Sequence, residues 1–422
     1  MSETFRPRSE FLATLCERGF VHQYSDLPGL DDKARSGALL GYIGFDCTAP
    51  SLHVGSLLPI MMLHWLQQTG HRPLPLMGGG TTRVGDPSGK DESRRLLTDD
   101  DINANLKSIR EVFARFLRFA DGKETADKTG AVMANNADWL NGLNYIDFLR
   151  DIGRHFSINR MLTFDSVKLR LERQQELSFL EFNYMILQAY DFVELYRRYG
   201  CVLQMGGSDQ WGNIVNGIDL GRRLHNAQFF ALTSPLITTS SGAKMGKTAA
   251  GAVWLNANQV SPYEYWQYWR NTEDADVGRF LKLFTVLPLN EIERLATLKG
   301  AEINEAKIKL ATEATAMVHG REAAEHAAQT ARTTFAMGGM GEGLPTIQVT
   351  IGSGILNIST QLGFTSSNAQ ARQFVKDGAV YVGEKRITEP SYKLQPDDFD
   401  QDGRAPFRAG QKNRAILTLK SE

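Results

Sequence analysis

The apolar residues change period as the chain passes Gly41. "ALLGYIGFD" is a short, nearly unbroken apolar run, the pattern of a strand buried on both faces. "CTAPS" follows as a turn, and "LHVGSLLPIMMLHWLQQTG" as a helix stopped by Gly70. A second run, "HRPLPLMGGG", predicts the next strand, whose glycines let the backbone pass close to a neighbour. The polar loop "TTRVGDPSGKDESRRLL" leads into "TDDDINANLKSIREVFARFLRF", a helix with Thr98 or Asp99 as its expected cap. Strand and helix in alternation predict a parallel α/β sheet.

The same alternation continues. "AVMANNADWLNGLNYIDFLRDIG" reads as strand, turn and short helix; "ELSFLEFNYMILQAYDFVELYRRYG" has helical spacing and ends at Gly200. "CVLQMGG" is a buried strand followed by the turn and helix "SDQWGNIVNGIDLGRRL", and "FFALTSPLITTSSGAKMGKTAAGAVWL" is a strand running into a polar loop expected to be mobile. After about Asn256 the pattern turns helical. "SPYEYWQYWRNTEDADVGRFLKLFTVL", "LNEIERLATL" and "INEAKIKLATEATAMVHGREAAEHAAQTARTTF" are rich in Ala, Glu, Leu and Lys. The glycines and Pro345 of "AMGGMGEGLPTIQV" predict a linker, and "NAQARQFVKDGAVYVGEKRI" with "FRAGQKNRAILTLK" predicts a small terminal α+β module with one closing strand. The expected domains are residues 1–255, a helical domain 256–332, a flexible linker 333–354 and a module 355–422.

Composition narrows the function only slightly. With 42% hydrophobic and 23% charged residues and a formal charge of -1, the 422-residue chain has no global attraction for nucleic acid or anionic lipid. Any polyanion has to be met locally. Cys16, Cys47 and Cys201 are too scattered for a zinc or CxxC redox site, and no stretch approaches the ~20 apolar residues that span a bilayer, so the expected location is the cytoplasm.

Three motifs could carry chemistry. His53 follows a strand and turn and opens a helix, where unpaired backbone N–H groups favour anions, and Gly55 lets a flat ligand come close. Alone, such a histidine reads as one satisfied by a backbone carbonyl. "GDPSGK" is one residue too short for a P-loop and by itself fits a generic loop. "KMGKT" sets Lys244 and Lys247 three apart around a glycine; surface lysines are usually solvated, yet such a pair can wrap a triphosphate.

Together these blocks resemble the tyrosyl-tRNA synthetases of bacteria and organelles, class I aminoacyl-tRNA synthetases, over essentially the whole chain. "HVGS" is similar to the HIGH signature and "KMGKT" to KMSKS. "YIGFDCTAPSLHVG", "GDPSGKDESR", "EFNYMILQAYDF" and "QMGGSDQWGN" resemble the blocks of the tyrosine enzyme, and the terminal module resembles an S4-type RNA-binding domain. The resemblance implies a Rossmann-like (HUP-type) α/β catalytic domain, an α-helical anticodon-recognition domain and a small α+β S4-like domain. It assigns Tyr42 and Asp191 to the tyrosine hydroxyl; Asp86, Tyr184 and Gln188 to the ammonium; and Gln204 to the pocket wall. For ATP and the adenylate it implies Gly44, Asp46, Thr48, His53, Gly55, Gly206, Asp209, Gln210 and Thr248. Lys90, Arg94, Lys244 and Lys247 would surround pyrophosphate.

The implied reaction forms tyrosyl-AMP from tyrosine and ATP and passes the tyrosyl group to the 3′ end of tRNA(Tyr), with Mg²⁺ bound to ATP rather than in a protein metal site. Other implied properties are a homodimer formed through about Val132 to Phe164, with "WLNGLNYIDFL" as apolar surface, and no DNA or membrane partner. The alternatives are a tryptophanyl-tRNA synthetase, a non-catalytic synthetase-derived RNA-binding protein, or a nucleotide-binding α/β protein with a dimerising last domain. Tyr42 and Asp191 argue against tryptophan, and the persistence of His53, Lys90, Lys244 and Lys247 against loss of catalysis. Two departures stand out: Ser56 replaces the second signature histidine, and Cys47 stands where the family commonly has proline. From Leu356 onward ten Lys or Arg face eight Asp or Glu, so the RNA-binding expectation rests on the S4-like pattern.

Overall fold

The computed structural model describes residues 5–86, 97–120, 128–242, 245–248, 251–336, 344–400, 402–410 and 413–420. Two compact units form, Met1–Met245 with Ala275–Thr297, and Gly246–Asp274 with Leu298–Glu422.

The first unit is built on six strands: β1 (Gln23–Tyr24), β2 (Leu40–Phe45), β3 (Arg72–Met77), β4 (Ala134–Asn135), β5 (Leu203–Gly207) and β6 (Phe230–Ser234). Their order is β1-β6-β5-β2-β3-β4, parallel except where β1 meets β6. The apolar runs anticipate β2 to β6; β1, two residues long, offers no periodicity to read. Because β2 lies between β3 and β5, the chain winds outward from it in both directions, and the mouth of this switch point, at the carboxyl ends of the strands, is where open α/β sheets bind ligands.

One long helix supplies the wall of that mouth. Phe179–Tyr199 starts at a capping box between Ser178 and Glu181 and stops at Gly200, whose φ of 71° is the left-handed region. Its apolar face buries Met185, Ile186, Ala189, Phe192 and Val193 in one cluster with Tyr42 and Leu74 of the sheet. The helix Trp211–His225 comes close enough that a Cβ on Gly217 would lie 2.9 Å from the Phe192 ring, so glycine is needed there.

The compact units are cut differently from the expected domains. "SPYEYWQYWRNTEDADVGRFLKLFTVL" forms two helices, Pro262–Arg270 and Val277–Phe284, and the second groups with the sheet. It buries Val277, Phe280, Leu281, Leu283 and Phe284, and the buried Arg18 donates to the carbonyls of Lys282 in its last turn and of Thr285 and Leu287 just beyond it (3.1, 3.0 and 2.7 Å). Such orphan carbonyls at a helix end need a donor.

In the second unit a two-strand ribbon, β7 (Lys247–Thr248) and β8 (Gly251–Ala252), precedes the helices. The run 303–335 breaks at Gly320, with φ 89°, into Ile303–His319 and Arg321–Ala336. A five-stranded sheet follows: β9 (Thr346–Val349), β10 (Val380–Val382), β11 (Lys385–Arg386), β12 (Arg404–Ala409) and β13 (Asn413–Leu419), in the order β11-β10-β12-β13-β9. Thus β9 lies within the stretch read as linker, pairing in parallel with β13. "FRAGQKNRAILTLK" is not one strand but the end of β12 and all of β13, with Gly410 at φ 83° between them. Val380, Val382, Phe407 and Leu417 pack with Ile355 and Val375 as the core of this sheet.

Candidate active site

Neighbouring strands hold the centre of the site. Tyr42 on β2 is paired in register with Gln204 on β5, and each is 1% exposed. Among the described residues the Tyr42 hydroxyl, the Gln204 Oε1 and the Gln188 Oε1 are buried without a hydrogen-bond partner. Native buried polar atoms are nearly always paired, and an unpaired one costs about 1–3 kcal/mol. Three of them, on β2, β5 and the Phe179–Tyr199 helix, point to a polar ligand.

Asp191, one turn beyond Gln188, is 2% exposed and held at both oxygens. Trp139 Nε1 donates to Oδ1 at 2.7 Å and Asn136 Nδ2 donates to Oδ2 at 3.0 Å. Asn136 is fixed in turn: its Oδ1 accepts from the Gly80 backbone N–H at 2.8 Å and its Nδ2 also donates to Thr81 Oγ1 at 2.9 Å. Burial pushes the Asp191 carboxyl up to about 7, against the two hydrogen bonds and with the charges of Asp46 and Glu194 adding to the rise. The Tyr42 hydroxyl is raised well above the ordinary tyrosine range by burial, then by Asp191 and Cys201, so it stays neutral and can both donate and accept.

Toward the strand ends, residues expected at the ammonium touch residues expected at the nucleotide. Gln210 Nε2 donates to Asp86 Oδ2 at 2.8 Å, and Asn213 Nδ2 donates to Gln210 Oε1 at 3.1 Å. The Tyr184 hydroxyl makes a long contact, 3.5 Å, with Asp46 Oδ1. Asp209 and Gln210 form the single turn that follows β5, and a Cβ on Gly206 would lie 3.3 Å from the Gln210 Cβ. Gly44 and Thr48 are exposed around the partly buried Asp46.

His53 caps the one-turn helix Val54–Ser56: its Nδ1 accepts from the Gly55 N–H at 3.0 Å. That bond puts the ring proton of neutral His53 on Nε2. A Cβ on Gly55 would lie 2.6 Å from His53 Cε1 and 3.3 Å from the Met245 carbonyl, which no other residue type accommodates without displacing them. Ser56 opens the helix Leu57–Gln68 with no capping bond from its hydroxyl. Cys47 is buried, its N–H donating to Thr82 Oγ1 at 2.8 Å and its carbonyl accepting from Asn105 at 2.9 Å. Proline has no N–H and cannot make the first of these bonds. Burial and the Asp46 charge push the Cys47 thiol up to about 12, so it is not a nucleophile.

Lys90, Arg94 and Lys244 lie outside the described residues, as do positions 243, 249 and 250 of the loop expected to be mobile. Lys247 and Thr248 form β7 in the second unit.

Residues 35–336 match the family of class I tRNA synthetases for tryptophan and tyrosine (W and Y). The chain belongs to this family. Residues 358–400 also match the S4 domain. A tyrosine-tRNA ligase of Nitrobacter winogradskyi is 60% identical over 97% of this chain and 98% of that protein; one of Beijerinckia indica subsp. indica is 61% identical over 99% of each. Among solved structures, a C-terminally truncated Aspergillus nidulans mitochondrial tyrosyl-tRNA synthetase is 32% identical with a TM-score of 0.68, covering 78% of this chain and 95% of that one. The synthetase family covers most of the parallel sheet, and the S4 match falls on the region of the terminal sheet.

Two members of this synthetase's buried site, Asn136 and Trp139, were missing from the sequence expectations. The sequence expectation places Trp139 in the apolar surface of "WLNGLNYIDFL", whereas in the structure it is 6% exposed and turned toward Asp191. The available signal was the polar, Trp-containing turn "NNADW" directly after a sheet strand. Tyr145 and Ile146 in the same run do face outward, at 59% and 68% exposure.

Proposed function

We propose that this synthetase is a tyrosine-tRNA ligase that activates L-tyrosine with ATP and then esterifies the 3′ end of tRNA(Tyr). The observation that carries the reading is the unpartnered Tyr42 hydroxyl in the same buried cluster as a helix that presents the doubly held Asp191. A phenol hydroxyl donates to Asp191 and meets Tyr42, whereas an indole ring leaves both without a hydroxyl, so the tryptophan alternative is not favoured. A site whose buried groups bind a substrate hydroxyl strongly rejects the analogue lacking it, and tyrosine enzymes of this class are the known example of that rule.

Asp86, Tyr184 and Gln188 are assigned to the ammonium and Gln204 to the wall beside it. The tyrosine carboxylate attacks the α-phosphorus of ATP; the bond to the β-phosphate oxygen breaks, and pyrophosphate leaves. No protein nucleophile takes part. Gly44, Asp46, Thr48, Gly206, Asp209, Gln210 and Thr248 are assigned to the nucleotide. His53 Nε2–H, Gly55 and Ser56, at the opening of the Leu57–Gln68 helix, are assigned to the triphosphate, where helix N–H groups favour anions. Lys90, Arg94, Lys244 and Lys247 are the cations assigned to the developing pyrophosphate charge, and Mg²⁺ enters with ATP as part of that substrate.

The helical segments of the second unit are assigned to the anticodon and the terminal sheet to tRNA, in keeping with the S4 match. The exposed Tyr145, Ile146, Ile158 and Leu162 support a homodimer through residues 132–164. Among the described residues no helix is long and apolar enough to cross a membrane, and the assigned location is the cytoplasm. ATP-pyrophosphate exchange with each of the twenty amino acids tests the assignment. Exchange with tyrosine alone is expected, and exchange with tryptophan instead of tyrosine overturns it.

A further inference from the structure

Beyond the carboxylate that reads the hydroxyl, the Phe179–Tyr199 helix carries an ionic cluster that tyrosine activation as described does not use. Glu194 lies one turn after Asp191 and is 3% exposed. Its Oε1 accepts from the Tyr190 hydroxyl at 2.8 Å and from Arg197 at 2.6 Å, and its Oε2 accepts from Arg198 Nε at 2.9 Å. Burial pushes the Glu194 carboxyl up, but the bonds from Arg198 and Tyr190 and the charges of Arg197 and Arg198 bring it below its ordinary value. An exposed Glu–Arg pair four apart on a helix contributes little by itself. Here the acid is buried, and the guanidinium it grips has a second contact: the Arg198 Cζ stands 5.2 Å from the centroid of the Trp139 ring. The same indole carries the N–H that donates to Asp191 Oδ1.

We propose that Glu194 and Arg198 form an outer clamp that fixes the plane of Trp139 and so aims its N–H at Asp191, making Arg198 a positioning residue for recognition of the substrate hydroxyl. The inference rests on the assignment of Asp191 to that hydroxyl. Two features favour a clamp over a surface ion pair. The Arg198 guanidinium is tied to Glu194 through its Nε–H, so its charge is held over the indole ring. Among the described residues Trp139 donates to Oδ1 of Asp191 and Asn136 to Oδ2, so a tilt of the indole takes the donor away from Oδ1. The Tyr190 ring, edge-on to Phe148 at 5.3 Å, closes the cluster on the side of the Tyr145–Asp151 helix.

The test uses the full-length protein in pyrophosphate exchange, with tyrosine, phenylalanine and ATP varied in turn. Arg198→Met keeps the stem and removes the cation. It is expected to raise the KM for tyrosine about three- to tenfold, leave the KM for ATP at the parent value, and narrow the preference for tyrosine over phenylalanine by a similar factor. Arg198→Lys, which keeps a cation over the ring, is expected to recover most of that preference. In a Trp139→Phe background, Arg198→Met is expected to do nothing more, because the N–H it aims is gone. An Arg198→Met protein with parent tyrosine KM and preference overturns the clamp, even if it melts at a lower temperature. So do losses that multiply independently in the double variant. Asp191→Asn run alongside separates the two layers: if it activates tyrosine at the parent rate, the assignment of Asp191 falls and takes the clamp with it, whereas a large loss there beside a silent Arg198→Met overturns the clamp alone.

Discussion

The end of the site proposed for the substrate hydroxyl and the end proposed for the phosphates are held by different means. At the hydroxyl end, Tyr42, Gln204 and Asp191 are nearly solvent-free, and Asp191 is bound at both oxygens by side chains from a separate turn of the chain. At the phosphate end the corner is made of backbone: His53 folds onto the Gly55 N–H, and the Ser56 N–H bonds the His53 carbonyl at 2.8 Å. A neutral hydroxyl is told from a missing one only by fixed, buried partners that suffer when it is absent. A triphosphate brings its own charge, so helix N–H groups and long cations can gather around it.

Breaking the buried end is expected to have the largest effect. In Asp191→Asn one oxygen becomes an amide NH₂, yet both neighbours, Trp139 Nε1 and Asn136 Nδ2, are donors. A donor then faces a donor, and the substrate hydroxyl loses a charged acceptor. Together these losses are expected to lower kcat/KM for tyrosine on the order of 10²- to 10³-fold. Pyrophosphate exchange reads it, and parent activity in a folded variant rules out the assignment.

Gly55→Ala attacks the other end through packing. The added carbon would meet His53 Cε1 at 2.6 Å and the Met245 carbonyl at 3.3 Å, so His53 has to turn away from its backbone bond. Displacing a positioned group by about 1 Å can cost on the order of 10²-fold in rate. The expected split is a fall in single-turnover adenylate formation of roughly that order at most, with the dissociation constant for tyrosine unchanged. Equal losses in both would mean that the two ends are not separately built.

The same contrast decides what the sequence made legible. The four longer strands of the first sheet and the Phe179–Tyr199 helix announce themselves by period, a capping box and a glycine stop. The proposed site residues come from family blocks, of which "YIGFDCTAPSLHVG" and "QMGGSDQWGN" run through the carboxyl ends of β2 and β5 and "EFNYMILQAYDF" lies on the Phe179–Tyr199 helix. What escaped was long-range. Asn136 and Trp139 lie 55 and 52 residues from the carboxylate they hold, and no local pattern encodes that pairing. Arg18, which donates to carbonyls at the end of the Val277–Phe284 helix, likewise lies more than 260 positions earlier. Cys47 was legible as a departure but not as a reason, until its N–H was found on Thr82.

Ser56→Ala sharpens the phosphate end alone. The hydroxyl makes no capping bond, so its loss should leave the helix start intact and remove only what it gives to ATP. A hydrogen bond to a charged group at the low end of the usual range corresponds to about a tenfold slower adenylate formation. An alanine variant within about twofold of the parent, with His53→Ala far below both, would show that His53 and the cations carry the phosphates without the serine.

The smallest expected effect is a pH dependence confined to the hydroxyl end. Asp191 has a carboxyl raised to about 7, chiefly by burial, so below that pH it holds a proton in the free protein. Its ionised form is the better acceptor for a phenol, and it becomes available as pH rises through 7. Folding stability follows the opposite sign: a raised carboxyl contributes most when protonated in the native state, and that contribution fades between the ordinary aspartate value and about 7. Asp46 and Glu194 bear on Asp191, and Asp191 and Cys201 on Tyr42; Tyr42 and Cys201 are shifted upward and Glu194 downward, out of the window. Tyrosine should therefore bind roughly fourfold more tightly at pH 8 than at about pH 6.5, the ratio of the ionised fractions of one group titrating near 7. Equilibrium binding without ATP is the right measurement, since it leaves His53 and the phosphate end out of the reading. Asp191→Asn should flatten the profile, and a slope that survives in that variant would place the titrating group elsewhere.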